Sequence, residues 1–302
     1  MALNRQIWLS TIIENFYPDN SFMAKSIDDS EFVNNKTVHI PNAGKPSSVV
    51  INRSEKPAKI NERTDKDLTY DIDELTTDPI YISDVDNVEL SYNKRNSILA
   101  NDRQQLQKMA AENLLYKWGG SLKTKILTTG ETREAHTSAT ATGSRKKLTK
   151  AAVMQAMIQF NKDDVPVENR FFLVDSIMYA DLLEDLTEKE LSAFLSCADA
   201  SRGVLGKLYG FEIMQRSQVL RTTANGEALL KWEEEDVATE LAAGLAWQQD
   251  CVSRAIGDVK MYDDMGNPTY YGDIYSFSVR TGGAPRRYDG NGIAVIVEAS
   301  VA

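Results

Sequence analysis

The chain has little of what metal centres and covalent catalysis need. Its 302 residues include two cysteines and two histidines. Cys197 and Cys251 lie far apart and form no Cys-x-x-Cys pair, so they predict neither a disulfide framework nor a zinc site. With only His39 and His136 present, a serine or thiol nucleophile has few general bases available. GxSxG, HExxH and GxGxxG patterns are also missing. We therefore predict no enzyme, no catalytic residue, no cofactor and no metal site.

Long apolar runs and an excess of positive charge are missing too. No stretch approaches the roughly 20 apolar residues of a membrane helix, and residues 1–13 lack the features of a signal peptide. We therefore expect no membrane partner. Lys and Arg number 34 against 44 Asp and Glu, which gives a net charge of −10. This balance argues against tight, sequence-independent binding to nucleic acid, but it permits loose contact through a local basic patch.

The remaining polar candidates have ordinary interpretations. The pairs Asp163-Asp164 and Asp263-Asp264 offer oxygen ligands for a hard cation, although solvated turn carboxylates are the favoured interpretation. His39 lies in an alternating, strand-like stretch, and His136 lies in a Thr/Ala/Gly/Ser-rich segment, 128–147, that predicts a surface loop. We interpret both histidines as structural or solvated.

Residues 36–75 predict an extended hairpin. Val38 and Ile40 alternate in one run and Val49 and Ile51 in another, on either side of the turn-rich residues 41–46. Such a hairpin has too few large apolar side chains to hold a core of its own. We therefore expect it to pack on another subunit.

Charge divides this segment into a basic and an acidic part. Adjacent blocks of opposite sign suit a loop that docks on the base of the same loop in a neighbouring copy, while two solvated faces that never meet are the alternative. The residues we expect to make these intersubunit contacts are Lys45, Arg53, Lys56, Lys59, Arg63, Asp71, Asp73 and Glu74.

A long helix follows the hairpin. Apolar residues recur at helical spacing from Val85 to Leu114, with possible starts at Asp78-Pro79 or at Ser83-Asp84, and Gly119-Gly120 ends the pattern. At about 1.5 Å per residue, roughly 35 residues would span about 50 Å. We interpret this helix as a spine along which the other elements pack.

The second half of the chain mixes strands and helices. We predict inward faces at Val153, Met154, Met157 and Ile158 of one helix, with Ala151 as a further candidate. In the next helix we predict Ile177, Ala180 and Leu183, with Leu182 as a further candidate. A buried strand is expected at 170–174, a capping box at Thr187 to Glu190, and a Gly-Phe turn into a strand at 210–213. Helical turns are expected within 248–255, a turn at 263–268, and strands at 242–247 and 292–297. The fold class is α+β.

The order of these elements carries a resemblance. An arm, an extended hairpin and a spine helix precede the segments RFFLVDSIMYADLLED, GVLGKLYGFEI, AAGLAWQQDC and GIAVIVEA. In the order of its elements and in the character of the segments quoted above, this chain resembles the major capsid proteins of tailed double-stranded-DNA phages, which have the Hong Kong 97-type fold. The resemblance implies an N-terminal arm (1–35), an extended loop (36–75), a peripheral domain with the spine helix (76–164), an axial domain (165–274) and a return to the peripheral domain (275–302).

The same resemblance implies a function. The chain is expected to be a structural subunit that self-assembles into pentamers and hexamers of an icosahedral phage head around double-stranded DNA. Expected partners are many copies of itself, a scaffolding protein, a portal and other head proteins, and the enclosed DNA through weak, non-specific contact. The expected location is the virion, after assembly in the host bacterial cytoplasm.

Two family features and two alternatives bear on this expectation. The chain starts almost directly with the arm, without the long cleaved segment of some members, so we expect a separate scaffolding protein or none. Nothing singles out Lys45, Lys56 or Lys59 for the lysine–asparagine crosslink of other members, and we expect none. The alternatives are an encapsulin-type shell around a cargo enzyme, and a soluble hydrolase or binding protein without visible motifs.

Overall fold

The computed structural model describes residues 21–33, 36–44, 47–54, 56–57, 60, 62–83, 93–120, 122–199 and 203–301. The α-helices are α1 (Asn93–Gly119), α2 (Lys150–Lys162), α3 (Ser176–Asp185) and α4 (Glu188–Leu195). The strands before α2 are β1 (Ile27–Asp28), β2 (Thr37–Asn42), β3 (Lys66–Asp71), β4 (Asp73–Thr76), β5 (Ile80–Ser83), β6 (Lys125–Leu127), β7 (Thr132–Glu134) and β8 (Ser144–Lys146). Those after α2 are β9 (Arg170–Val174), β10 (Gly206–Leu208), β11 (Phe211–Gln215), β12 (Leu220–Thr222), β13 (Leu229–Leu230), β14 (Leu241–Gln248), β15 (Val252–Asn267), β16 (Gly272–Pro285) and β17 (Ile293–Val297).

An eight-stranded sheet forms the centre of the molecule. Its order is β10-β11-β9-β14-β12-β13, and β17 pairs with both β14 and β6. Every residue of β9, β14 and β17 is buried. These strands are almost continuously apolar because both faces of the sheet are covered, a pattern typical of sheets packed between two layers. The predicted strands at 170–174, 242–247 and 292–297 are confirmed.

Helices cover the two faces of this sheet. On one face, α2, α3 and α4 contribute Ala156, Phe160, Leu182 and Phe194 to a core that includes Phe172. On the other face, the core is built from the end of α1 and from the residues before β1, and it includes Phe22, Leu114, Leu115, Trp118 and Trp247. The sheet is therefore the middle layer of an α+β domain.

A second sheet extends from this centre. Its order is β1-β15-β16-β4, with β5 also paired to β16. The spine helix α1 packs on it through Leu106 and Ala110, which join Phe277 and Val279 in a common core. Gly283 of β16 lies at the closest approach, where an added Cβ would come within 2.6 Å of the Ser253 carbonyl oxygen. Only a glycine leaves room there for Trp118, whose Nε1 donates to that same oxygen at 2.8 Å.

The β10–β11 hairpin has a two-residue turn. Tyr209 and Gly210 both have positive φ, at 48° and 85°. This combination is typical of a type I′ turn, whose twist matches that of the flanking strands. The predicted Gly-Phe turn into a strand is confirmed, and β11 continues into the sheet as the parallel neighbour of β9.

Predictions for the helices are partly confirmed. The helix α1 ends at the predicted glycines. The possible start at Asp78-Pro79 is wrong, because Ile80–Ser83 forms β5, and residues 84–92 lie outside the described residues. The capping box of α4 is present, since Glu190 accepts from both the backbone N and the hydroxyl of Thr187, at 3.0 and 2.7 Å.

The predicted inward faces of α2 and α3 are partly wrong. Met154 and Ile158 of α2 and Ile177 and Ala180 of α3 are exposed. Val153 and Leu182 are buried as predicted, and the other buried residues are Ala152, Ala156 and Phe160 in α2, and Met178 and Asp181 in α3. Small residues form part of the inward face of α2, and an aspartate forms part of that of α3, so a pattern sought in large apolar residues selects the wrong side of the helix.

Two predictions near the C-terminal hairpin are also wrong in part. Only Gln249–Cys251 forms a helical turn, and β15 then runs from Val252 through the predicted turn at 263–268 to Asn267.

The predicted domain limit at 274/275 falls inside the β15–β16 hairpin, both strands of which lie in the five-stranded sheet. The domain boundaries stay a prediction.

Candidate assembly surfaces

The extended segment has a packed base. Strands β2 and β3 pair in antiparallel register from Thr37 opposite Asp71 to Asn42 opposite Lys66. Their inward side chains form a small core with Ala255 of β15; its other members are Val38, Ile40, Tyr70 and Ile72. The expectation that this hairpin buries nothing within its own subunit is therefore wrong for its base.

The distal part of the segment lacks such a core. Val49, Ile51 and Ile60 are 93, 87 and 95 % exposed. The predicted strand at Val49 and Ile51 is wrong, because β2 pairs with β3 and residues 47–54 form no strand. Several large apolar side chains projecting from one loop are typical of a surface that becomes buried against another protein.

The residues predicted to make basic contacts differ in their exposure and in their ion pairs. Lys56 is exposed and Arg53 is partly exposed, and neither forms an ion pair with another described residue. Arg63 instead binds both carboxylate oxygens of Asp65, with Nε at 2.6 Å and Nη2 at 2.8 Å. This bond lowers the pKa of the Asp65 carboxyl. Lys45 and Lys59 lie outside the described residues.

The predicted acidic contacts have partners inside the subunit. Asp73 binds Lys117 of the spine helix at 2.6 Å and accepts from the Asn113 amide at 2.9 Å. Although burial opposes it, these two bonds lower the pKa of Asp73. Glu74 lies 3.8 Å from Arg280 of β16.

Asp71 differs from these two because, among the described residues, its carboxylate accepts only from a hydroxyl, that of Thr37, at 3.0 Å. All three acidic side chains thus lie at the base of the extended segment. Their contact with a neighbouring loop stays a prediction.

Sequence reasoning missed a buried ionic cluster around Glu298, which follows β17. Arg133 of β7 binds Glu298 through Nη2 and Asp181 of α3 through Nε, the latter at 2.8 Å. His136 bonds Asp175 through Nε2 at 2.9 Å and lies beside Arg133 through Nδ1. The cluster joins the β7–β8 hairpin to α3 and to the end of the central sheet.

Burial has the largest effect on the pKa of the central carboxyl of this cluster. Glu298 is fully buried, and desolvation raises its pKa to about 7, although His136 and Arg133 oppose the rise. The solvated interpretation holds for His39, whose exposed ring bonds Asp67 at 2.7 Å, and the structural one holds for His136. The predicted surface loop 128–147 contains a hairpin whose side chains are partly buried, since Arg145 of β8 is 4 % exposed.

The described part of the chain contains no organised metal site and no organised thiol site. No group of three His, Cys, Asp or Glu side chains there has metal-binding geometry. Asp163 ends α2 and accepts from Gln159 at 3.0 Å, and Asp264 accepts from Asn267 at 2.7 Å. Cys197 and Cys251 are free thiols. None of the described helices is long and apolar enough to cross a membrane.

Comparison with known proteins identifies the architecture. No family model and no curated protein matches this sequence. Among solved structures, the capsid of cyanophage P-SCSP1u superposes with a TM-score of 0.61 at 17 % identity, over 92 % of this chain and 87 % of that one. The capsid of Ralstonia phage GP4 gives 0.61 at 11 % identity, over 92 and 88 %. The capsid of a native GTA particle gives 0.60 at 13 % identity, over 93 and 90 %.

The chain has the Hong Kong 97-type capsid fold. The match extends over more than nine-tenths of the chain, so the whole element order is shared and not one sheet alone. This confirms the α+β class and the fold expected from the order of arm, hairpin, spine helix and sheets. Because the identities are low, the likeness lies in the fold and not in particular side chains.

Proposed function

We propose that this chain is the major capsid protein of a tailed phage, a structural subunit that closes with many copies of itself into an icosahedral head. The observation that carries the proposal is the capsid fold over almost the whole chain. The similar solved structures named above are phage capsids and a GTA particle, which favours a phage-type head over an encapsulin-type shell. Enclosed double-stranded DNA, a scaffolding protein and a portal belong to this proposal.

The loop geometry supports assembly independently of the comparisons. A single subunit leaves Val49, Ile51 and Ile60 almost fully exposed, and folding of that subunit alone gives them no partner among the described residues. Burying apolar surface contributes about 25 cal/mol per Å², so each such side chain stabilises an intersubunit contact by roughly 1.5–3 kcal/mol. A closed shell repeats that contact at every subunit, and many weak contacts together hold it.

Function in this proposal is assembly and not a chemical step. The net charge of −10 argues against extensive neutralisation of DNA phosphates by this chain. Location in the virion, after assembly in the bacterial cytoplasm, follows from the same proposal.

The loop provides the test. The Val49→Ser/Ile51→Ser variant should stay folded, because neither side chain contributes to a core of the subunit, while the yield of shells should fall sharply. Val167→Ser is a matched control, since Val167 is 65 % exposed but lies outside the loop. Equal yields of closed particles from the loop variant and the control would contradict the role of the loop. Nuclease-protected DNA in purified shells would separate a phage head from an encapsulin-type shell with protein cargo.

A further inference from the structure

The paired part of the extended segment ends at Asn42 and Lys66, which lie opposite each other in β2 and β3. Beyond this pair is the distal loop, residues 43–65, whose described residues form no strand. On the other side of the pair, β2 and β3 are fixed to β15 by the small core around Ala255. The direction of the distal loop therefore depends on what holds Asn42 and Lys66.

Both residues contact the segment 286–288, which follows β16. The Asn42 side-chain amide donates to the carbonyl oxygen of Arg286 at 3.0 Å, and its oxygen accepts from the backbone N of Tyr288 at 3.2 Å. The Lys66 ammonium lies 3.6 Å from the centre of the Tyr288 ring, which is a cation–π contact. These three contacts form a clamp that holds both strands of the hairpin at the point where their pairing ends.

Just beyond the clamp, the two halves of the distal loop are tied to each other. The Gly44 backbone N donates to Asp65 at 2.8 Å, and Asp65 also accepts the two bonds from Arg63. An added Cβ on Gly44 would collide with the Thr64 carbonyl oxygen, so the two halves are in close contact there. Because of this tie, the first residues of both halves move as one unit.

An open groove separates this unit from the segment that forms the clamp. Its volume is about 640 Å³, and its walls include Gly44 and Arg63 on one side and Arg287 and Asp289 on the other. Each wall satisfies its own charges, since Arg63 binds Asp65, and Arg287 binds Asp289 through Nε at 3.1 Å and Nη2 at 3.0 Å. No hydrogen bond or ion pair among the described residues joins these two walls, so the groove itself does not fix the loop.

We propose that Asn42, Lys66 and Tyr288 are positioning residues for assembly, which set the direction of the distal loop relative to its subunit. The loop pivots at the Asn42–Lys66 pair, and without the clamp it swings across the groove. The pivot is a property of the single subunit, whereas its consequence for assembly rests on the proposed shell function. A closed shell repeats one contact geometry at every subunit, so a loop without a fixed direction lowers the yield of closed shells.

Distances between two spin labels in unassembled subunits test the pivot. One label is attached at Thr64→Cys, beside the tie, and the other at the natural Cys197; both positions are exposed, whereas Cys251 is buried. Asn42→Ala and Tyr288→Leu should each raise the fraction of subunits outside the main distance peak about two- to fivefold, which is the factor expected for loss of an exposed hydrogen bond or cation–π contact. The yield of closed shells should fall in the same variants.

Matched variants separate a positioning role from a structural one. Tyr288→Phe keeps the ring below the Lys66 ammonium and should keep the distance distribution of the unaltered chain, whereas Lys66→Met should act like Tyr288→Leu. Tyr262→Leu removes a tyrosine that is 51 % exposed and lies outside the clamp, and should change nothing. The urea midpoint should stay the same in all variants, because none of these side chains belongs to a core of the subunit.

The outcomes distinguish the pivot from the shell function. An unchanged distance distribution in Asn42→Ala and Tyr288→Leu would overturn the pivot, and a lowered urea midpoint without a broader distribution would do so by showing a structural role. A broader distribution with an unchanged yield of closed shells would overturn the positioning role in assembly and leave the shell function intact. An unaltered chain that forms no shells would contradict the proposed function, while the distances alone would still decide the pivot.

Discussion

The buried Glu298 carboxyl should make the subunit less stable as pH rises. Its neighbours are Arg133, His136, Asp175 and Asp181, and burial outweighs the two positive partners to raise its pKa from 4.5 to about 7. The unfolded chain loses this proton near the ordinary pKa, whereas the folded chain keeps it until pH approaches 7. The stabilisation from this group is therefore fully present below about pH 4.5 and is lost as pH rises through about 7.

The magnitude follows from the size of the shift. The two pKa values differ by about 2.5 units, and each unit corresponds to about 1.4 kcal/mol, so the group changes the free energy of unfolding by up to about 3 kcal/mol. A Glu298→Gln variant resembles the protonated acid at all pH values. It should match the unaltered chain near pH 4 and exceed its unfolding free energy near pH 8 by up to about 3 kcal/mol.

Urea unfolding of unassembled subunits at a series of pH values measures this difference. The buried Trp118 and Trp247 provide a fluorescence signal from the central core. Subtracting the two curves removes the contributions of groups that titrate alike in both proteins. A difference between variant and unaltered chain that stays constant from pH 5 to pH 8 would refute a raised Glu298 pKa.

Three further substitutions test the packing by the same urea measurement. Gly206→Ala places a Cβ 2.6 Å from the buried Phe194 ring and should lower the free energy of unfolding by about 1–3 kcal/mol; an unchanged midpoint would contradict this close approach. Arg221→Met leaves Glu240 buried without its cation and should cost about 3–5 kcal/mol, and a loss below about 1 kcal/mol would count against the pair. Asp175→Ala removes the side chain that caps α3 through two backbone N–H groups and also bonds His136. It should therefore cost more than the loss of a cap alone, about 1 kcal/mol, with helix content by circular dichroism as a second measure.

Local patterns in the sequence predicted the parts of the fold that depend on near neighbours. The capping box at Thr187 and Glu190 involves residues three apart, and the turn at Tyr209-Gly210 involves two adjacent residues, of which Gly210 adopts positive φ most easily. The buried strand 170–174 is recognisable because its residues are apolar on both faces. The order of such elements was enough to indicate the capsid fold.

The features that the sequence did not predict depend on strand pairing and ion pairs between residues far apart in the chain. Val49 and Ile51 alternate like a strand, but β2 pairs with residues 66–71, and nothing local distinguishes the two choices. His136 meets Asp175, 39 residues along the chain, and Arg133 meets Glu298, 165 residues along the chain. A polar residue in a Thr/Ala/Gly-rich stretch gives no sign of such partners.

The extended loop and its clamp show the same division. The exposed loop is visible in the sequence as a basic stretch that also contains Val49, Ile51 and Ile60. The clamp exists only because Arg286, 244 residues along the chain from Asn42, lies beside the end of the hairpin. Tyr288 itself appears in the sequence as one tyrosine in a Gly- and Asp-rich stretch, where a loop is the ordinary expectation.

Cryo-electron microscopy of the purified full chain, preceded by size-exclusion chromatography, tests the central claim most directly. The account predicts large closed particles with pentameric and hexameric clusters of this subunit, in which the extended loop of each copy lies on a neighbour. A single peak of folded monomers at every concentration and buffer tested, with no closed particles on the grids, would contradict it.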